Sequence, residues 1–525
     1  MQAPRVAVIG AGFGGLAAAL RLAVQGCDVT VLERASHIGG KARTLPVAGR
    51  AVEAGPTVFT MRPVFEDLFA AAGTDLSTEV TLRPARVLAR HAWPDGSRFD
   101  LFADLEETVA AVESLAGGAE AARYRRFAAA TAESWEIFRP SFVEAPRPSP
   151  LDVVRRIGLR GLPALLRARP TATLFRVLAD KLEDPRLRQL FARYATYCGS
   201  SPFAAPATLM LIAHVERLGV WTVDGGMSAL AAAIARQAER AGAGIRLDTP
   251  VARIETERGR ASGVVLENGE RLAADAIVFN GDAAALPAGL LGEAPRRAIR
   301  PVPSANRSFS ALVWSAVAQP AGFPLSHHTI FFGPDYAAEF AAMAAGRLPQ
   351  HPTTYVCAMD RDADTGAAPP GPERLHVQVN APATGDGARD GRTAPSDEEI
   401  ETCRQQTEAL MARAGLSLSL APEATRLTRT QDFAALFPGT GGALYGEATH
   451  GPFASFRRAA TVTRIPGLFL AGGSAHPGAG APMATLSGRL AAEAAMAHLA
   501  SMRPSRPAGI SGGISTRSRT TGSTA

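Results

Sequence analysis

The chain has 525 residues, 46% hydrophobic and 20% charged, which is enough to bury several cores and excludes wholesale disorder. The net charge of +6 includes Arg503, Arg506, Arg517 and Arg519 close to the C-terminus, so the remainder is nearly balanced and no nucleic-acid partner is indicated. Cys27, Cys198, Cys357 and Cys403 lie far apart without a CxxC pair, which excludes a zinc ribbon or disulfide scaffold and fits a reducing compartment.

In chain order, residues 5–9 (RVAVI) predict a buried strand, 14–25 an apolar helix, and 28–33 (DVTVLE) a second strand. The apolar start carries spaced glycines and changes from strand to helix pattern, so it is not read as a signal peptide. Residues 101–185 read as mainly helical, with breaks at Pro140, Pro146, Pro148, Pro150, Pro163 and Pro170. A helix follows at 226–242, then strands at 245–247, 251–256, 262–267 and 275–279, with Asn268-Gly269 as a hairpin turn into 270–273. The uncharged run from Ser308 to Pro334 reads as two strands with a turn, because Pro320, Pro324, His327 and His328 interrupt any membrane span. Strand patterns and loops continue to residue 380. Residues 383–397 read as a polar surface loop and 398–414 as a helix capped by Ser396 or Asp397. A strand at 468–471 and a helix at 483–500 precede residues 501–525, a polar tail expected to be disordered.

Gly10-Ala11-Gly12-Phe13-Gly14-Gly15 fits G-x-G-x-x-G between the first strand and helix. Gly10 permits the tight turn, Gly12 lets a pyrophosphate reach the backbone, and Gly15 seats helix against strand. Amides at the helix start then hold the phosphates. Glu33 ends the second strand, where a carboxylate accepts both ribose hydroxyls. His37-Ile38-Gly39-Gly40-Lys41-Ala42-Arg43 adds a glycine pair that a plain NAD domain does not need. In an extended FAD site, Gly40 brings backbone close and Lys41 offsets phosphate charge. No second fingerprint follows another strand, so no separate NAD(P)H domain is expected. Residues 467–489 (GLFLAGGSAHPGAGAPMATLSGR) pass from a strand through glycines into a helix near Pro482 or Met483, whose amides can face the flavin's pyrimidine edge.

These motifs resemble the FAD-binding half of the glutathione-reductase-like flavoproteins, in the branch of amine oxidases and carotenoid desaturases. His476-Pro477-Gly478-Ala479-Gly480 looks like the signature of bacterial phytoene-desaturase-type enzymes. Pro482-Met483-Ala484, Arg193-Tyr194-Ala195-Thr196-Tyr197 and the stretch Gly441 to Gly446 look more like the 1-hydroxycarotenoid 3,4-desaturase (hydroxyneurosporene) branch. The resemblance implies an α/β fold: a Rossmann-like FAD-binding domain of glutathione-reductase/amine-oxidase type with an inserted α+β substrate domain. The FAD domain would comprise residues 1–90, 215–285 and 455–500, and the substrate region 91–214 and 286–454.

The same resemblance implies that Gly10, Gly12, Gly14, Gly15, Glu33, Gly40, Lys41, Gly55, Val251, Gly473 and Met483 bind FAD, with no metal. The implied reaction is hydride transfer from a 1-hydroxycarotenoid to FAD. Desaturation of unhydroxylated carotenes, another amine-oxidase-like oxidation, and non-enzymatic lipid binding are the alternatives. Many relatives carry an Asp beside the return glycines; here Gly472-Gly473-Ser474 leaves backbone amides or Ser474 to serve. His476 is the candidate proton acceptor, though it suits a turn as well, while Tyr194 and Tyr197 read as packing. Residues 153–176 hold six arginines (155, 156, 160, 167, 169 and 176) among apolar residues without an acid, which predicts a peripheral membrane surface beside the substrate entry. The expected partners are an apolar carotenoid and an electron acceptor such as a quinone or oxygen. The expected location is cytoplasmic and membrane-attached, without a transmembrane helix.

Overall fold

The computed structural model describes residues 3–146, 148–387 and 392–502; Ser501 still belongs to the last helix, and the expected tail from residue 503 lies outside the described residues, as does part of the 383–397 loop. The strand Arg5–Ile9, the helix Phe13–Val24 and the strand Asp28–Leu32 form the expected βαβ unit, paired in parallel from Arg5↔Asp28 to Ile9↔Leu32. Three further parallel strands complete a five-stranded sheet in the order Leu468–Leu470, Ala276–Phe279, Arg5–Ile9, Asp28–Leu32, Gly244–Arg246. The start, middle and end of the chain thus share one sheet. Both of its faces are buried, as an apolar parallel sheet requires. Val6, Val8, Val29, Val31 and Val278 pack under the helices Phe13–Val24, Gly226–Arg240 and Ala481–Ser501. Ala7, Ile9, Leu32, Ile277 and Phe279 point the other way, against a three-stranded antiparallel sheet. This alternation is the period of two that strand geometry dictates.

The Asn268-Gly269 turn joins two antiparallel strands of that smaller sheet, Arg260–Leu266 and Arg271–Ala273, with Gly269 at φ +89°. The closing helix Ala481–Ser501 lies against the first helix so tightly that a Cβ on Gly488 would come 2.3 Å from the Gly14 carbonyl oxygen.

A second, seven-stranded sheet runs Thr425–Thr428, Ser310–Ala318, Glu373–Ala381, Thr354–Ala358, His328–Phe331, Val87–Ala92, Arg98–Phe102. Both strands expected within 308–334 are present, though they do not pair with each other. Ser310–Ala318 pairs along nine residues with Glu373–Ala381, and His328–Phe331 pairs with Thr354–Ala358 and Val87–Ala92. A helix, Tyr336–Ala344, also stands where only strands and loops were expected. The boundary drawn at residue 90 falls inside the strand Val87–Ala92, which belongs wholly to this second sheet.

Helices between residues 105 and 217 cover the far side of the cavity described below. Pro150 starts the helix Pro150–Ala168, where Ser149 caps and Asp152 returns the bond. Pro163 does not end it, contrary to expectation. The bend is instead at Gly158, whose φ of +60° no helix tolerates. Among the described residues, no helix is long and apolar enough to cross a membrane.

Candidate functional site

A cavity of about 1180 Å³ begins at the fingerprint glycines and continues between the seven-stranded sheet and the helical layer. Its first part is a cradle with no room for side chains. A Cβ on Gly12 would sit 2.9 Å from Asn280 Nδ2, one on Gly14 2.6 Å from the Gly472 nitrogen, and one on Gly15 2.0 Å from the Gly10 oxygen. The second glycine pair closes on the first: Gly39 N donates to Ala11 O at 2.8 Å, and a Cβ on Gly40 would lie 3.2 Å from Gly12 Cα. Gly55 is equally constrained, because a Cβ there would meet the Lys41 carbonyl at 1.8 Å. The backbone therefore forms the walls that an extended dinucleotide needs.

Glu33 is 7% exposed and lines this cradle. Its Oε2 accepts from Ala11 N at 2.7 Å and its Oε1 from Ala35 N at 2.9 Å. Each oxygen keeps acceptor capacity for a ribose hydroxyl. Gly10, Gly12, Gly14, Gly40, Lys41, Val251, Gly473 and Met483 also line the cavity, whereas Gly15 acts from behind, in helix–strand packing.

Lys41 lines the cradle, where its ammonium donates to Leu444 O and sits 5.2 Å from the Phe437 ring centre. Burial lowers its pKa, with Asp282 opposing and Arg458 adding to the effect. Ser474 is also committed, since its Oγ accepts from Ala283 N at 2.9 Å.

Two further residues carry no motif. Asn280 follows the strand Ala276–Phe279 and donates to Gly10 O at 3.2 Å, bracing the turn. Buried Arg458 donates to Gly473 O at 2.7 Å and Tyr445 O at 2.8 Å, so a guanidinium holds the return glycines in place. The only signal for Asn280 is its position, the first polar residue at the carboxyl end of a core strand. Arg458 has none.

His476 is not a cavity base. Its Nε2 donates to Ala145 O at 2.9 Å, and Phe142 meets the ring edge-on at 5.0 Å. Burial lowers its pKa to about 4, which keeps the ring neutral with that proton in place. The residue pins the return turn to the helical layer.

The second part of the cavity is lined by apolar Phe138, Phe142, Val153, Leu165, Leu209 and Ile212 and by polar Thr57, Arg193, Tyr197, Glu216, Tyr355 and Gln378. Tyr355 OH lies 2.6 Å from Thr57 Oγ1 and 2.7 Å from His328 Nδ1. Tyr194 OH donates to Glu216 Oε2 at 2.6 Å, so the tyrosine read as packing has a specific polar partner. Burial raises the Glu216 pKa against its bonds from Tyr194 and Tyr197. Behind Tyr355, His327, His328 and Cys357 place ligand-type atoms within 4.8 Å of one another. Burial pushes the Cys357 thiol up to about 12, and His328 Nδ1 is already taken by Tyr355, so these side chains act as buried packing behind the cavity.

The mouth of this part is marked by Val154 and Phe453, which line the cavity yet are 45% and 48% exposed. Val154 belongs to the helix Pro150–Ala168, whose outer side carries Leu151, Leu159 and Leu166 at 80%, 89% and 67% exposure.

Residues 13–496 match the model of the flavin-containing amine oxidoreductase family. The chain is 49% identical to a hydroxyneurosporene desaturase of Rubrivivax gelatinosus, covering 99% of each chain. It is 44% identical to the hydroxyneurosporene desaturase of Rhodobacter capsulatus over 94% of this chain and 97% of that one. Identity to a zeta-carotene-forming phytoene desaturase of Myxococcus xanthus is 32% over 94% of each. Among solved structures, putrescine oxidase superposes with a TM-score of 0.58 at 16% identity, covering 95% of this chain and 99% of that one. The cradle fits the cofactor of that fold, which is FAD. From its fingerprint glycines to its return helix, the chain belongs to the flavin-containing amine oxidoreductases, within their carotenoid-desaturase branch.

Proposed function

We propose that this protein is an FAD-dependent carotenoid desaturase that introduces the 3,4 double bond at a 1-hydroxylated carotenoid end. The observation that carries this reading is the continuity of the FAD cradle with an apolar cavity opening at Val154 and Phe453. The hydroxyneurosporene desaturases among its relatives support the substrate class. FAD, when bound, supplies the hydride acceptor. The carbon next to the polyene loses a hydride, its neighbour loses a proton, and the electron pair left behind becomes the new double bond. The protein's own task is to exclude water and align a flexible chain end, and Phe138, Phe142 and Ile212 do this by contact. An acceptor such as a quinone or oxygen would take the electrons onward, since the sequence carries one dinucleotide fingerprint and its glycines with Glu33 would hold FAD.

The mouth supports a peripheral membrane contact. Four exposed leucines on one helix, Leu151, Leu159, Leu162 and Leu166, are available for insertion, with Arg155 and Arg156 exposed beside them. The basic segment is weaker than its sequence, because Arg167 pairs with Glu133 and Arg169 with Asp180.

The test is incubation with vesicle-dispersed 1-hydroxycarotenoid and with its unhydroxylated parent. A red-shifted absorption spectrum from the hydroxylated substrate supports the assignment. A shift from the parent alone moves the enzyme to carotene desaturation, and no shift from either removes it from carotenoid chemistry.

A further inference from the structure

Arg193 is the residue the proposed reaction leaves unexplained. It opens the 3-10 turn Arg193–Cys198 directly after the helix Pro185–Ala192, and its side chain lines the cavity. The guanidinium lies over two phenol rings, 5.1 Å from the centre of Tyr197 and 5.5 Å from that of Tyr355. Nη1 donates to Tyr197 OH at 3.0 Å. Among the described residues it has no carboxylate within ion-pair distance; Glu216 is bonded by Tyr194 and Tyr197 instead. Burial works against its charge and is outweighed by Tyr197, Tyr336 and Glu216. The cation is therefore kept, caged between aromatic faces, with further N–H groups free to donate.

A polyene offers such a group nothing. Enclosing a guanidinium beside a hydrocarbon leaves donors unmatched, which is costly unless the ligand supplies an acceptor. At the end of the carotenoid that is desaturated, the only acceptor is the hydroxyl at carbon 1. That oxygen is a short way along the chain from carbons 3 and 4, so the group that reads it must stand beside the reacting bond, not at the far end of the cavity. Arg193 meets this condition through its neighbours. Tyr355, under the guanidinium, is bonded to Thr57, which follows Gly55 and Pro56 of the cofactor cradle.

We infer that Arg193, held by Tyr197 and Tyr355, donates a hydrogen bond to the 1-hydroxyl and so selects hydroxylated over unhydroxylated carotenoid ends. The inference rests on the proposed 3,4-desaturation. A site built to bond a hydroxyl rejects the analogue lacking it strongly, because the buried donor is then left unpaired. Tyr197 is a positioning residue, fixing the guanidinium with its own hydroxyl.

The experiment compares kcat/KM for a vesicle-dispersed 1-hydroxycarotenoid and its unhydroxylated parent in the FAD-loaded wild type and in Arg193→Met, which keeps an unbranched stem in place. Selectivity for the hydroxylated substrate should fall at least ~10-fold, with the loss in KM for that substrate, while FAD content is retained. Arg193→Lys should recover part of the selectivity, since it restores a donor without the fork. If Arg193→Met does not hold FAD, Tyr197→Phe is the alternative. It removes only the phenol oxygen that anchors Nη1, and should lower selectivity less than the loss of the guanidinium does. Unchanged selectivity in a folded variant overturns the inference. So does an equal fall in kcat on both substrates, which marks Arg193 as structural. Wild type that desaturates only the parent, or neither substrate, shows instead that the proposed reaction is wrong.

Discussion

Glu33 shows how one side chain links sequence to cofactor. Its carboxylate braces the Ala11 and Ala35 amides and still faces the cradle with spare lone pairs. Glu33→Ala removes up to two charge-assisted bonds to a ribose, each worth about 1.5–3 kcal/mol. FAD should be lost from the variant on dialysis while wild type stays yellow, as read by flavin absorbance per protein. Equal retention would show that another group holds the ribose. His476 supports a prediction on pH. Its folded pKa of about 4 lies below the ordinary 6.5, so the unfolded chain takes up the proton first as pH falls. The stability owed to the neutral ring is complete above about 6.5 and is lost on descent to 4. His327, also lowered to about 4 by burial, acts in the same direction. The melting temperature should drop through this window. His476→Asn should flatten the drop, and an unaltered slope would mean that His476 does not contribute to it.

At the scale of elements, the helix Pro150–Ala168 does two jobs with opposite sides. Val153 and Leu165 face the cavity, and Leu151, Leu159, Leu162 and Leu166 face outward. Only the outward leucines are available to lipid. Burying a leucine contributes about 1.5–3 kcal/mol, and salt does not screen it. Each exposed arginine adds about 1 kcal/mol at an anionic surface, which salt does screen. Replacing Leu151, Leu159, Leu162 and Leu166, the exposed leucines of this helix, with serine should therefore abolish sedimentation with anionic vesicles at both low and high salt. Arg155→Glu with Arg156→Glu should weaken it mainly at low salt. Co-sedimentation of the leucine variant at wild-type levels would place the membrane contact elsewhere. The periodicity of this segment was legible in its sequence. Its bend at Gly158 and its ion pairs to Glu133 and Asp180 were not, because they depend on partners outside the helix.

On the scale of the whole molecule, strands from residues 5–9, 28–32, 244–246, 276–279 and 468–470 form one sheet, and the seven-stranded sheet and helices close over it. The described residues form a dinucleotide cradle that FAD fits. Anaerobic mixing with NADPH should thus leave the flavin spectrum oxidised over minutes, as followed by absorbance. Rapid bleaching would reveal a nicotinamide site in contact with the cofactor.

The sequence alone determined the cradle, because its chemistry is local. Gly10, Gly12 and Gly15 act within one strand–turn–helix, and Glu33 follows the next strand by pairing register. Spacing along the chain carries such information directly. Tertiary structure decided the rest. Arg458 reaches Gly473 and Tyr445 across a loop, Asn280 braces Gly10 from another strand, and Lys41 bonds Leu444 far along the chain. The polar lining brings together Thr57, Arg193, Glu216 and Tyr355 from four separate segments. Ser310–Ala318 pairs with residues some 60 positions away rather than with its sequence neighbour, because the seven-stranded sheet buries both of its faces. Long-range pairing is set by which buried surfaces fit, and that is a property of the packed chain, not of any one segment.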